Sequence, residues 1–170
     1  MKRRPTAIII AVTALICLQA AAQAPTGPCS TENAHEFDFW VGDWEVTANG
    51  NLAGHNSIQP ILDGCVLQEV WTGAGGSAGS SFNFYNPRLQ QWQQFWVWRN
   101  GTTLNLKGAY ADGKMVLAGE SLDREGQTIH NRISWYDNDD GTVRQHWEVS
   151  SDAGETWTTA FDGLYSPADD

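Results

Sequence analysis

The chain has 170 residues and a formal charge of -10, from 20 acidic side chains against 10 Lys and Arg. A surface that acidic repels phosphate backbones and anionic lipid, which disfavours nucleic-acid and membrane-surface partners. The length suits one domain with one core, and no linker or repeat divides it.

Residues 1–22 read as a secretory signal peptide. Lys2, Arg3 and Arg4 supply the positive start, Ala7 to Leu18 the apolar run, and Ala20-Ala21-Ala22-Gln23-Ala24 the small-residue exit. The apolar run is too short to span a bilayer as a mature helix. Cleavage fits after Ala22 or Ala24, and Pro25 favours Ala22. Its loss removes three of the ten bases and none of the acids, so the mature chain is more acidic still, from -10 to -13. The expected product is periplasmic or secreted, a monomer, without membrane insertion.

Cys17 leaves with the leader, so Cys29 and Cys65 remain. Two thiols in an oxidising compartment invite a disulfide, here between the N-terminal segment and the start of the third strand; two separate buried thiols are the alternative. Neither has a second ligand at close spacing, so no metal site is expected of them.

The N-terminal segment, residues 23–41, offers Ser30 or Thr31 as the cap of a short helix or 3₁₀ turn running to Trp40. Such a segment closes one end of a barrel. The step Gly42-Asp43-Trp44 then opens an alternating run, with the indole placed to plug that end.

From Gly42 to the end, residues 42–170, the pattern is all-β. Asn49-Gly50, Asp63-Gly64, Asn86-Pro87, Asn100-Gly101, Asp112-Gly113, Glu125-Gly126, Asp140-Gly141 and Ala153-Gly154 punctuate it. Asn-Gly and Asp-Gly supply the positive φ angles of tight hairpins. Between these marks lie ten predicted strands, at 42–48, 54–62, 65–72, 80–85, 91–98, 102–110, 114–121, 127–136, 142–149 and 156–165. Short loops cannot make the crossovers of a parallel sheet, so the order is an antiparallel meander. Ten strands in a meander close most economically into a lipocalin-like barrel; a two-sheet sandwich is the alternative.

Alternation assigns the faces. The inward set is Trp44, Val46, Leu67, Trp71, Trp92, Trp96, Trp98, Leu104, Leu106, Met115 and Leu117, then Ile129, Ile133, Trp135, Val143, Trp147, Val149, Trp157 and Phe161. Lys114, Glu120, His130, Arg132, Ser134, Arg144, His146 and Glu148 face water. Strand 91–98 carries Phe95 and Val97 on its other side, which suggests a cover from the N-terminal segment. The glycines of 73–79, without a lysine or a following helix, read as a flap at the barrel mouth.

Several separated blocks resemble one family. FDFWVGDWEV, GCVLQEVW, the FYNP turn, DG-x-MVLAGE and QHWEVSSDAGETWTTAFDGLY look like an uncharacterised bacterial family of lipocalin-like proteins in the wider calycin group. The resemblance covers nearly the whole mature chain. It implies a lipocalin-like or fatty-acid-binding-protein-like barrel and brings no catalytic residues with it.

Nine tryptophans crowd this chain. Either they line a pocket for a small, largely apolar or aromatic ligand, or they fill a solid core. Trp71, Trp96, Trp98, Trp135 and Trp147 are the expected pocket walls. Glu69, Gln94, Asn131 and Gln145 interrupt the inward face, and a buried amide or carboxylate must find a partner. They are the expected orienting groups, or else members of an interior network. Glu69 is the one catalytic candidate: an ionisable group on an apolar face has a raised pKa and suits general acid/base work by an isomerase, cyclase or hydrolase.

No cofactor is expected. Haem in a nitrobindin-like barrel would need an axial histidine in the late strands, and His146 is the residue to examine, although parity puts it outside. Ser150-x-Asp152-x-Gly154-x-Thr156-Trp157 matches an Asp-box hairpin and reads as a turn device, with Asp152 bonding backbone amides and Trp157 packing beneath. Asp137-x-Asp139-x-Gly141 lacks the ligands of a calcium loop.

Overall fold

The computed structural model describes Gly27 and residues 29–168; the leader and its cleavage point lie outside the described residues. Two 3₁₀ turns, Glu32–His35 and Asp38–Trp40, precede the strands. The strands are β1 (Gly42–Ala48), β2 (Asn51–Ile61), β3 (Val66–Gly73), β4 (Ala78–Asn86) and β5 (Gln91–Trp98). They continue with β6 (Thr103–Ala111), β7 (Lys114–Leu122), β8 (Thr128–Asp137), β9 (Val143–Ser150) and β10 (Thr158–Pro167). Each pairs antiparallel with the next, and β1 pairs with β10 from Trp44↔Pro167 to Thr47↔Leu164. The result is a closed ten-stranded meander barrel, not a sandwich. Among the described residues no helix is long and apolar enough to cross a membrane.

The hairpins turn where the sequence marks them. Asn49 and Gly50 sit at φ 51° and 75°, and Asp112 and Gly113 at 53° and 74°. Two successive positive φ angles give a turn whose twist matches its strands.

The N-terminal turns insert into one end of the barrel and seal it. Phe37 and Trp40 are fully buried. The Phe37 ring stacks on Trp40 at 4.9 Å and meets Trp92 and Trp135 at 5.6 and 5.2 Å. Trp44 Nε1 donates to Trp40 O at 3.0 Å, and Trp92 Nε1 to Asn33 O at 3.1 Å. These bonds tie the plug to the barrel and spare two indole N–H groups the cost of about 1–3 kcal/mol of burial without an acceptor, whereas Trp40 Nε1 and Trp135 Nε1 are buried with no partner. Cys29 and Cys65 are joined, with Cα atoms 5.3 Å apart, so the strap leading into the plug is fastened to the β2–β3 turn.

One face assignment and two expectations of exposure need correction. Trp157 lies outside, under the Arg132 guanidinium at 4.2 Å, not inside with Phe161. The register between β9 and β10 shifts between Thr159 and Phe161, and that extra residue reverses the parity before it. Phe95 is not covered by the N-terminal segment: it is exposed beside its partner Phe82, because the segment is used at the barrel end. Ser134 is buried on the outer wall, a short side chain between Val116 and His146 in register. The other outward charges form a ladder, with Arg132 on Glu148 at 2.9 Å and Arg144 on Asp162 at 2.7 Å.

The Asp-box hairpin is a turn device. Asp152 accepts from Thr156 N at 2.9 Å and from the hydroxyls of Thr156 and Ser150. Those donors hold its carboxyl down to about 2. Trp157 Nε1 closes the hairpin on Gly154 O at 3.1 Å.

Candidate functional site

Opposite the plug the barrel holds a cavity of about 320 Å³, open at the mouth. Its walls are aromatic: Trp71 from β3, Trp96 and Trp98 from β5, Trp147 from β9 and Phe161 from β10. Trp96 meets Trp98 edge-on at 5.7 Å, and Trp98 faces Trp147 at 6.3 Å. The polar lining is Glu69, Gln94, Gln145, Tyr165 and Ser77. That volume lies at the small end of ligand pockets, which run to roughly 300–1,000 Å³.

The nine tryptophans therefore divide. Trp40, Trp44, Trp92 and Trp135 build the sealed end, Trp71, Trp96, Trp98 and Trp147 the cavity, and Trp157 the outer hairpin. Trp135, expected in the pocket wall, is instead fully buried against Phe37 and Trp40.

The Trp96 ring packs against Gly79 of β4. A Cβ at Gly79 would stand 2.3 Å from the Trp96 ring and 2.7 Å from Val97 O. Glycine is required there for the indole to reach its position.

Glu69 is buried at 5 % exposure, and each carboxyl oxygen meets one neutral donor. Asn56 Nδ2 donates to Oε1 at 2.8 Å and Ser81 Oγ to Oε2 at 2.6 Å. The chain of bonds continues through Asn83 Nδ2 to Ser81 Oγ at 2.8 Å and Gln94 Nε2 to Asn83 Oδ1 at 2.8 Å. It crosses four adjacent strands, β2 to β5, at nearly one level. Burial dominates the carboxyl's acidity and raises its pKa to about 7, against the lowering effect of Ser81 and Asn56. Asn56 Oδ1 is buried without a partner.

On the far wall Tyr165 OH donates to Gln145 Oε1. Burial pushes the Tyr165 hydroxyl well above its ordinary range, and the Glu69 charge adds to the effect. Asn131 stands behind the wall: its Oδ1 accepts from Trp147 Nε1 at 3.0 Å and its amide donates to Ser121 at 2.9 Å. It sets the tilt of Trp147 and does not line the cavity.

The cavity thus brings together Glu69, Trp71, Gln94, Trp96, Trp98, Gln145 and Trp147 of the residues expected from sequence, and leaves out Asn131 and Trp135. Sequence reasoning missed Asn56, Ser81, Asn83 and Tyr165. A sequence signal existed for the first three: Glu69 on an apolar face demanded donors, and β2 and β4 alone flank β3.

His146 is directed outward, Nε2 3.1 Å from Thr159 Oγ1 and Nδ1 3.8 Å from Glu148. Among the described residues no histidine lines the cavity, so its lining does not fit a haem with an axial histidine. The β3–β4 turn at the mouth is tied down by Ala74 N to Ala53 O at 2.8 Å and Arg99 Nη1 to Gly76 O at 2.9 Å.

Fold and site together define a closed antiparallel barrel with an indole-walled interior and one buried carboxyl at its base. Set against models of protein families and against curated proteins, the chain matches none.

Proposed function

We propose that this is an exported binding protein, a monomer that holds a small, largely apolar or aromatic molecule inside a lipocalin-like barrel. The observation that carries the reading is the cavity of about 320 Å³ framed by four indoles and a phenyl ring. Flat apolar walls contribute most of the affinity of such a site, and a few polar groups fix orientation. Gln145 Nε2 and the unshared lone pairs of Glu69 supply that orientation. The basic, apolar and small-residue layout of residues 1–22 supports export, as does the Cys29–Cys65 bond. Membership of the lipocalin-like bacterial family that the sequence resembles belongs to the same proposal.

Four of the nine indoles surround the cavity, so occupancy is read directly in tryptophan emission. Titration with a panel of lipids, flat aromatic compounds and haem should give saturable quenching or a blue shift with the aromatic class. A flat response to every class rejects the binding reading.

One observation favours a second reading, an enzyme on the same barrel. A carboxyl whose pKa lies near 7 is poised to act as general acid or base for an isomerase, cyclase or hydrolase. In that case Glu69→Gln abolishes turnover of a bound compound while its affinity changes little.

A further inference from the structure

Three features of the cavity bear on the charge of its occupant. The first is its cage: Trp71, Trp96, Trp98, Trp147 and Phe161 line one small volume. Aromatic faces carry negative potential and attract cations within about 6 Å of the ring centroid. The second is the base of the cage, where Glu69 supplies the lone carboxyl, its two oxygens engaged only by the neutral Asn56 and Ser81. An ionised carboxylate has about four lone-pair sites, so two remain for a guest. The third is the lining's lack of any Lys, Arg or His among the described residues. A carboxylate ligand such as a fatty acid finds nothing there to neutralise it, and meets Glu69 instead.

Resting on the proposal that this cavity is the binding site, we infer that its ligand is a small organic cation, an aryl-alkyl ammonium or quaternary ammonium group seated in the indole cage over Glu69. The ammonium supplies the charge partner that Asn56 and Ser81 do not, and the cage replaces its hydration shell with ring faces. The acidic chain, at -10 overall, concentrates cations near the mouth before they enter.

The titratable group facing Glu69 within the lining is Tyr165 of β10, while Asn56 of β2, Ser81 of β4 and Gln94 of β5 are neutral. Tyr165 stays protonated through neutral pH, so Glu69 alone sets the linkage. When the cation binds to the protonated form, the Glu69 carboxyl proton goes to solvent and the carboxylate stays with the ligand. Cation affinity therefore rises with pH until Glu69 is ionised in the free protein, and then levels off.

The test is calorimetry on the full mature chain with three benzyl probes: benzyltrimethylammonium, its uncharged carbon isostere neopentylbenzene, and the smaller anion phenylacetate. The expected result at pH 8 is at least about tenfold tighter binding of the ammonium than of the isostere, with no binding of phenylacetate. Between pH 6 and 8 only the ammonium should gain affinity, and in Glu69→Gln that gain should vanish and its advantage over the isostere should shrink to the part that the indole cage alone supplies. Equal or tighter binding of neopentylbenzene by the wild type overturns the cation inference and leaves the pocket standing. Failure of all three probes, together with silence to every other aromatic compound, overturns both.

Discussion

Ser81 Oγ donates to Glu69 Oε2 at 2.6 Å, from the strand paired directly beside the one that carries the carboxyl. Asn56 answers it from the other neighbouring strand at 2.8 Å. Both donors are neutral, and among the described residues Glu69 makes no ion pair. Two hydrogen bonds lower the carboxyl's pKa, but burial outweighs them, so the group is held half-protonated near neutrality.

Stability should carry the mark of that shift. The folded pKa, about 7, lies above the ordinary 4.5. Between those values the folded chain holds a proton that the unfolded chain has lost. Stability therefore falls as pH rises from about 4.5 to 7, by up to roughly 3 kcal/mol, and levels off above. Glu69→Gln should remove this slope and leave the variant the more stable of the two at pH 8. Urea unfolding of both proteins at pH 5, 6, 7 and 8 checks it; parallel curves would refute it.

Reduction should loosen the plug end. The Cys29–Cys65 bond closes a loop with a sequence separation of 36. A loop of that length corresponds to about 3–4 kcal/mol of stability in the chain-entropy account. Denaturation midpoints with and without reductant measure it. Thiols that alkylate in the unreduced native protein would contradict the bond.

Phe37→Ala should be among the most damaging single changes. The ring is fully buried and touches Phe39, Trp40, Trp92 and Trp135. Its loss opens a cavity in the seal and should cost about 3–5 kcal/mol. Phe82→Ala, on the exposed outer wall, should cost well under about 1 kcal/mol. Similar losses for both variants in chemical denaturation would place the core elsewhere.

Gly79→Ala should disturb the site from behind. The added methyl would stand 2.3 Å from the Trp96 ring and 2.7 Å from Val97 O, so both the indole and the neighbouring backbone of β5 must shift. Destabilisation of about 1–3 kcal/mol is expected. Alongside it should come a changed tryptophan emission and weaker binding of any compound that the wild type takes. Unchanged emission and affinity would show that Trp96 is not seated as described.

The architecture was legible because two independent signals agreed. Turn dipeptides such as Asn49-Gly50 and Asp112-Gly113 marked the hairpins, and alternation between them marked the strands, so all ten were located. Depth along the barrel was not legible. Parity separates inside from outside, yet Trp92 and Trp96 share one face of β5 while one lies in the seal and the other in the cavity. Strand tilt and register decide that, and neither is written in the local pattern.

The alternation assigned no inward residue in β4, where the polar Ser81 and Asn83 are buried inside and the apolar Phe82 is exposed outside. The strand serves the needs of Glu69 next door, a requirement invisible within β4 itself. Trp157 was misplaced for a related reason: one extra residue near Ala160 reverses the alternation, and nothing in Thr158-Thr159-Ala160 announces it.

The most direct test of the account is the ¹³C carboxyl shift of Glu69 in labelled protein, followed against pH with the cavity empty and then saturated by an aromatic compound. The expected midpoint is about 7 when empty, displaced once the cavity is filled. A midpoint near the ordinary 4.5, unmoved by any compound, would contradict both the burial of the carboxyl and its place at the base of a binding site.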